Sequence, residues 1–409
     1  MHILIIGYVW PEPNSSAAGH RMLQLIESLL QQRFRITFSS PAQHTDHQVD
    51  LSTLGVTSHT IYVNCDSFNQ FITQAQPDVV IFDRFMMEEQ FGWRVEKYCP
   101  NALRVLNTED LHSLRQARHQ AIKDNREFTI QDMHTDVGLR EIAAILRCDL
   151  TLMISSYEHQ LLKDAFKIPE YQLCHLPFML QPVPERQRQN LPSFQARQHF
   201  IAIGNFRHAP NWDMVLQLKQ HIWPMIRKEL PEAELHIYGA YPPPKAFQLH
   251  NPKQGFMIKG WANNADEVMS QAKVCLAPIR FGAGIKGKLI QAMQNGTASV
   301  TTHIGAEAMC DGLPWNGVIT DDFSEFATAA IQLYKDQESW KVYQEHGFTI
   351  LAEKYNKSCW QNTFNAALLK AKNQQEHNRQ KNFMGLMVRH HSLKSTQYMS
   401  QWITAKNSK

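Results

Sequence analysis

The sequence predicts two doubly wound α/β domains in tandem. The length of 409 residues exceeds what one hydrophobic core ordinarily organises. Short apolar runs alternate with longer helical patterns along the chain, the signature of βαβ units and parallel sheets. A polar, proline-spaced stretch, QPVPERQRQNLPSFQARQ (181–198), divides these alternations into two sets. With 43% hydrophobic and 19% charged residues, the chain has the composition of folded rather than disordered protein.

The first strand is expected at HILIIG (2–7). A loop of mostly small residues, GYVWPEPNSSAAGHRM (7–22), leads into a helix whose Met22, Leu25, Ile26, Leu29 and Leu30 share one face. Strands follow at 35–40, 78–83, 103–107 and 150–155, each ahead of helix-like sequence, and Ser155 and Glu158 have the spacing of a capping box. This first domain is expected over 1–182, with 183–198 as linker. FIAIGNF (200–206) restarts the scheme, and its helix carries Leu216, Leu218, Ile222, Trp223 and Ile226. Strands at 234–239, 256–261, 274–279 and 298–302 continue a second domain over 199–355. A helix is expected over 356–371 and a polar, partly disordered tail over 372–409. Met384, Leu386, Met387 and Val388 form an apolar island in that tail, compatible with a partner- or membrane-surface helix or with a solvated appendage.

The formal net charge of +3, from 41 basic and 38 acidic residues, gives no global field for nucleic acid or an anionic bilayer. Nucleic acid is therefore not expected as a partner, and membrane contact is expected to be peripheral at most. The seven cysteines form no C-x-x-C pair and have no histidines at zinc spacing, so they are read as reduced core thiols. The N-terminal apolar run lacks a basic leader and is cut by Gly7 and Pro11. No apolar stretch reaches the roughly 18–20 residues of a membrane span. Together these features suggest a cytoplasmic protein, at most peripheral at the inner membrane face.

Ligands of open α/β sheets bind beyond the carboxyl ends of the strands. The richest loop in such a position is PIRFGAGIKGKLIQAMQNG (278–296). Gly282, Gly284 and Gly287 let the backbone approach a ligand, and a helix starting near Ile285 would aim its unpaired amides at an anion. Arg280, Lys286 and Lys288 add positive charge suited to a diphosphate, and Asn295-Gly296 has the form of a helix C-cap. GNFRHAPN (204–211) is a second post-strand loop, with Arg207 and His208 facing the cleft and Asn211 as N-cap. NTEDLHSLR (107–115) places Glu109, Asp110 and His112 past a strand end, where a base or a positioning group could be drawn from them. Glu88 and Glu89 could touch an acceptor or simply be a solvated helix start. The loop after the first strand (7–22) lacks the dinucleotide fingerprint G-x-G-x-x-G.

The run APIRFGAGIKGKLIQAMQNGTASVTTHIGAEAM (277–309) is similar to the donor-site segment of family 4-like glycosyltransferases, in the subgroup with a G-A-G-I-K-x-K loop. FIAIGNFRHAPNWD (200–213) and VLNTEDLHSLRQAR (105–118) resemble further segments of that subgroup, and the similarity runs in order over roughly residues 1 to 365. The resemblance implies the GT-B fold: two Rossmann-like domains facing a cleft, with a C-terminal helix returning to the first. It implies sugar transfer, with retention, from a nucleotide diphosphate sugar to a glycan or lipid-linked acceptor. It also implies that neither a metal nor another cofactor is needed, in keeping with the absence of an Asp-x-Asp motif.

Carried over by position, the donor would be held by Gly204, Asn205, Arg207, Arg280, Gly282, Ala283, Gly284, Ile285, Lys286, Lys288, Gln291, Gly305 and Glu307, with Ala306 beside it. Catalytic roles would fall to His112, Asp110, Arg207 and Lys286. Ser15, Ser16, Ala17, Ala18 and Gly19 would form the loop lying against the diphosphate and the acceptor entrance. Glu307 is open to orienting a sugar hydroxyl or capping a helix. Where many members carry two glutamates separated by seven residues, this chain has Ala283 and Gln291; the amide can still bond a ribose hydroxyl pair but brings no charge. A nucleotide-sugar 2-epimerase and a nucleotide-sugar-binding pseudoenzyme are the alternative functions.

Overall fold

A computed structural model describes residues 1–407. The first sheet comprises β1 (His2–Ile6), β2 (Arg35–Ser40), β3 (Thr57–Thr60), β4 (Val79–Asp83), β5 (Leu103–Asn107), β6 (Leu150–Met153) and β7 (Leu173–His175). The second comprises β8 (Phe200–Ile203), β9 (Leu235–Tyr238), β10 (Phe256–Gly260), β11 (Val274–Ala277), β12 (Ala298–Thr301) and β13 (Gly317–Ile319). Their orders are β3-β2-β1-β4-β5-β6-β7 and β10-β9-β8-β11-β12-β13. Every pairing is parallel, as between Ile3, Ile36 and Val79 in the first sheet. The strand order reverses at β1/β4 and again at β8/β11, and a crevice opens at such a switch point.

Helices cover both faces of each sheet, so the central strands are apolar throughout rather than alternating; all five residues of β1 are buried. Strands β3, β7 and β13 were not expected from the sequence. The first reads TSHT and lies exposed at a sheet edge, and the other two are three residues long, too short to show a period. The segment expected to be a linker is firmly packed. Val183 and Phe194 are buried in the second domain's core, and the buried Arg197 donates to the carbonyls of Ala272 and Asn295 and to Thr297 Oγ1 at 2.8–3.1 Å.

The chain leaves the second domain at Tyr355, whose carbonyl accepts from the Leu180 amide at 2.7 Å. The helix Lys357–Asn373 then returns to the first domain, where Phe364, Leu368 and Ala371 are buried in one cluster with Ile3, Ile5, Met22 and Leu25. Lys357 Nζ anchors its start to Glu27 at 2.8 Å. The tail expected to be polar and partly disordered is helical over Gln375–Lys381 and Phe383–Asn407, with residues 408–409 outside the described residues. Arg379 fixes it to both oxygens of Asp149 at 2.7 Å.

Because Phe364 completes the first domain's core from the far end of the chain, Phe364→Ala should cost about 3–5 kcal/mol. Chemical denaturation followed by a probe in the first domain should report this loss, and the second domain should be little affected.

Candidate functional site

Loops leaving the carboxyl ends of both sheets meet between the domains. After β11 the chain runs through Arg280 to Gly287, and the helix Gly287–Gln294 begins two residues later than the sequence suggested. Lys286 is its N-cap and makes no side-chain cap bond. The loop's glycines are required by the first domain's approach. Gly284 has φ +66°, and a Cβ there would stand 2.9 Å from Asp110 Cβ; one on Gly287 would stand 2.5 Å from Ala17 Cβ. Ala283 packs against the first domain's core, and Ile285 is buried in that of the second.

Two lysines converge behind this loop. Lys286 Nζ donates to the Gly284 carbonyl at 2.9 Å, and Lys288 Nζ donates to Asn211 Oδ1 at 2.6 Å with Met214 Sδ at 3.5 Å. Neither amine forms an ion pair among the described residues. Burial holds the Lys286 amine below its ordinary pKa and brings that of Lys288 down to about 8, the neighbouring Lys286 adding to the effect. Asn211 was expected to cap its helix. The helix instead starts at Ala209 with His208 as N-cap, which leaves the Asn211 side chain to bridge Lys288 and the Asn205 carbonyl, the latter at 2.9 Å. Gly204 packs against that side chain, and the Arg207 guanidinium lies 3.7 Å from the Tyr241 ring centroid.

The first domain presents Asp110, His112, Arg118 and Glu158 to this loop. Asp110 pairs with Arg115 and lies 3.6 Å from His112 Nε2. Although burial opposes it, Arg115 leads the influences that hold the Asp110 carboxyl below the usual carboxylate range. Burial brings the His112 imidazole down to about 4, so it is neutral at neutral pH. Its backbone amide is fixed by Glu141 Oε1 at 2.9 Å. Glu158 accepts from the Gly284 amide and, at 3.2 Å, from the Leu111 amide. Burial raises its pKa, and the charge of Asp110 adds to this. The expected capping box is thus half made: Ser155 caps its helix, but the glutamate reaches across to the other domain. Arg118 donates to the Gly282 carbonyl at 2.9 Å and to both oxygens of Glu307 at 2.9 and 2.7 Å. Glu307 is therefore an interdomain ion-pair partner, while Thr302 caps the helix containing Gly305 and Ala306.

Other expected residues are placed differently. Arg280 turns to Asp213, with Nε 2.9 Å from Oδ2. Gln291 Nε2 donates to Asp266 Oδ1 at 3.0 Å. Glu88 and Glu89 pair with Arg147 and Arg140; Glu88 is buried, whereas Glu89 stays partly exposed. Ser15 bonds Glu12, and Ser16 caps the helix starting at Ala17. Ala18 and Gly19 line a cavity of about 20 Å³ together with Asp83 and Arg84, room for one water-sized group. At the ends of β4 and β5, Arg84 and Glu109 both have positive φ, +70° and +61°, a strain that neighbouring structure must impose. Asn107 Nδ2 bridges Asp83 and Glu109 at 3.1 and 2.7 Å, and burial raises the Glu109 carboxyl above its ordinary value.

Asp83, Arg84, Arg118 and Glu158 had not been singled out for this site. For Arg118 a signal existed, because His112, Arg115 and Arg118 repeat at three-residue spacing along one helix. Among the described residues, no three His, Cys, Asp or Glu side chains converge as a metal site requires.

Residues 197–336 match the family described as glycosyl transferases group 1. Pneumococcal O-GlcNAc transferase GtfA, in complex with UDP and GlcNAc, has a TM-score of 0.68 at 12% identity, covering 91% of this chain and 99% of that one. Sucrose-phosphate synthase from Thermosynechococcus elongatus has a TM-score of 0.65 at 15% identity, covering 90% and 98%. S. aureus TarM, in complex with fondaparinux, alpha-GlcNAc-glycerol and UDP, has a TM-score of 0.57 at 12% identity; 73% of this chain is covered but only 57% of TarM. At these identities the likeness is one of fold, and that fold is the expected GT-B arrangement. No curated protein matches the sequence.

The Lys288 amine binds its proton less tightly in the folded chain than in the unfolded one. Stability is therefore depressed below about pH 8 and recovers as pH rises towards the ordinary lysine range. Lys288→Met should stabilise the free protein at neutral pH by on the order of 1–3 kcal/mol. Urea denaturation should show this gain shrinking towards about pH 10, as the native lysine loses its charge.

Proposed function

We propose that this protein, a group 1 glycosyltransferase by its second domain, transfers a sugar with retention from a nucleotide diphosphate sugar to a glycan or lipid-linked acceptor. One observation carries the reading: the buried Lys286 and half-buried Lys288 donate only to uncharged acceptors beside a helix start whose N-cap side chain makes no cap bond. Cations without a direct ion-pair partner are costly to desolvate, and a diphosphate supplies one.

As the bond to the sugar breaks, negative charge grows on the departing phosphate. Lys286, Lys288, Arg207 and the amides at the helix start would be in place to stabilise it. That division of labour needs neither a divalent ion nor another cofactor. The neutral His112 imidazole can exchange a hydrogen bond with a sugar hydroxyl without competing for the phosphate, and Asp110 orients it. Retention follows if the acceptor attacks from the face the phosphate leaves, handing its proton to that phosphate. Ser15 to Gly19 would shape the acceptor's approach. Gln291 and Arg280, engaged by Asp266 and Asp213, would have to turn from those partners to touch the nucleotide.

Titration calorimetry with UDP and GDP tests the reading. One of them should bind, and Lys286→Ala should weaken it by about 1.5–3 kcal/mol, as loss of a charge-assisted bond requires. Failure of both to bind, or an unchanged affinity in the variant, would remove the diphosphate from this site. Proton NMR of the anomeric centre during transfer should show the donor's configuration kept. Conversion of the nucleotide-sugar alone into its epimer would replace transfer with epimerisation.

A further inference from the structure

The helix Phe383–Asn407 is arranged inside out. Its contacts with the first domain include Gly385, Arg389, Ser400 and Thr404. Gly385 lies so close that a Cβ would stand 2.3 Å from the Leu146 carbonyl oxygen. Arg389 Nε donates to the Arg147 carbonyl at 3.2 Å, Ser400 Oγ accepts from Arg94 Nη2 at 2.9 Å, and Thr404 Oγ1 donates to the Asn64 carbonyl at 2.9 Å. At about 100° per residue, the opposite face collects Phe383, Met384, Met387, Tyr398 and Trp402. These side chains are 70, 53, 42, 63 and 60% exposed. From Phe383 to Trp402 the stripe is about 28 Å long. These residues form two exposed apolar patches, Phe383, Met384 and Met387 at one end of the helix and Tyr398 and Trp402 at the other, and large apolar side chains left exposed in this way mark a contact with something else.

Charge distinguishes the occupants. Residues 383–407 contain no Asp or Glu, and the exposed Lys381, Lys394 and Lys406 flank or interrupt the stripe. Lys406 Nζ lies 5.3 Å from the Trp402 ring centroid. A second copy docked about a twofold axis would bring this basic face against itself. An anionic lipid surface meets it with opposite charge, takes the apolar side chains into the boundary between headgroups and acyl chains, and suits Tyr and Trp at that depth. Exposed Tyr62 and Val63 directly precede Asn64, which receives the Thr404 bond, and so extend apolar surface from the far end of the helix. Among the described residues no helix is long and apolar enough to cross a membrane.

We propose that Phe383–Asn407 is a surface anchor that lays its Phe383-to-Trp402 stripe on an anionic bilayer while its other face grips the first domain. This rests on the helix alone and is independent of the sugar-transfer reading.

Co-sedimentation of the full chain with vesicles of phosphatidylcholine plus phosphatidylglycerol, and of phosphatidylcholine alone, tests it. Binding should be confined to the anionic vesicles and weaken with salt. The outward variant Met387→Gln/Tyr398→Gln/Trp402→Gln should lower partitioning at least about tenfold while circular dichroism stays unchanged. Lys381→Glu/Lys394→Glu, which leaves the stripe intact, should also release the protein. The proposal is overturned if the native chain ignores anionic vesicles, if it binds neutral ones equally well, or if the stripe variant instead dissolves a concentration-dependent dimer.

Discussion

Two ammonium groups at the domain boundary, Lys286 buried and Lys288 half-buried, set the terms for the rest of the molecule. Lys286 and Lys288 sit behind a glycine loop, with neutral oxygen and sulfur acceptors as neighbours and the positive end of a helix beside them. Cations withdrawn from water without a direct ion-pair partner cost stability, and on the proposed reading that cost maintains an anion site. The surrounding features follow from this constraint. Glycines at 284 and 287 let the first domain approach, Asn211 leaves its expected cap to hold an amine, and Arg118 pairs with Glu307 across the domains.

The same region joins the domains. Glu158 on the first domain takes the Gly284 amide of the second, and Arg118 takes the Gly282 carbonyl. Burial and the charge of Asp110 both push the Glu158 carboxyl towards its neutral form, which leaves more of the lysines' positive field for a ligand. The loop Arg280 to Gly287 is thus shaped from both sides, and its conformation depends on how the two domains sit together.

Much of the fold was legible because buried parallel strands announce themselves as apolar runs between amphipathic helices. HILII, RITFSS and LRVLN were found at or near their limits, whereas TSHT has no apolar signal and the strands at 173–175 and 317–319 are too short to show a period. The return of a C-terminal helix was legible only through family resemblance. In the candidate site, glycine spacing and lysine placement revealed the loop, while the partners of each charge stayed hidden. Asp213 and Asp266 are distant in sequence from Arg280 and Gln291, and no local pattern records that they meet. Glu158 was obscured by its own motif, since the spacing that suggests a helix cap equally serves a contact with another domain.

The returning helix Lys357–Asn373 also constrains how the molecule is made. A nascent chain leaving the ribosome exposes β1 to β7 long before Phe364 and Leu368 exist to cover them. The second domain's strands, Phe200 to Ile319, are likewise all made before the returning helix appears. During synthesis the N-terminal half must then wait, with part of its apolar surface open to chaperones, until the last helices thread back. Truncation by a premature stop codon near the end of the reading frame would damage the beginning of the protein more than its middle.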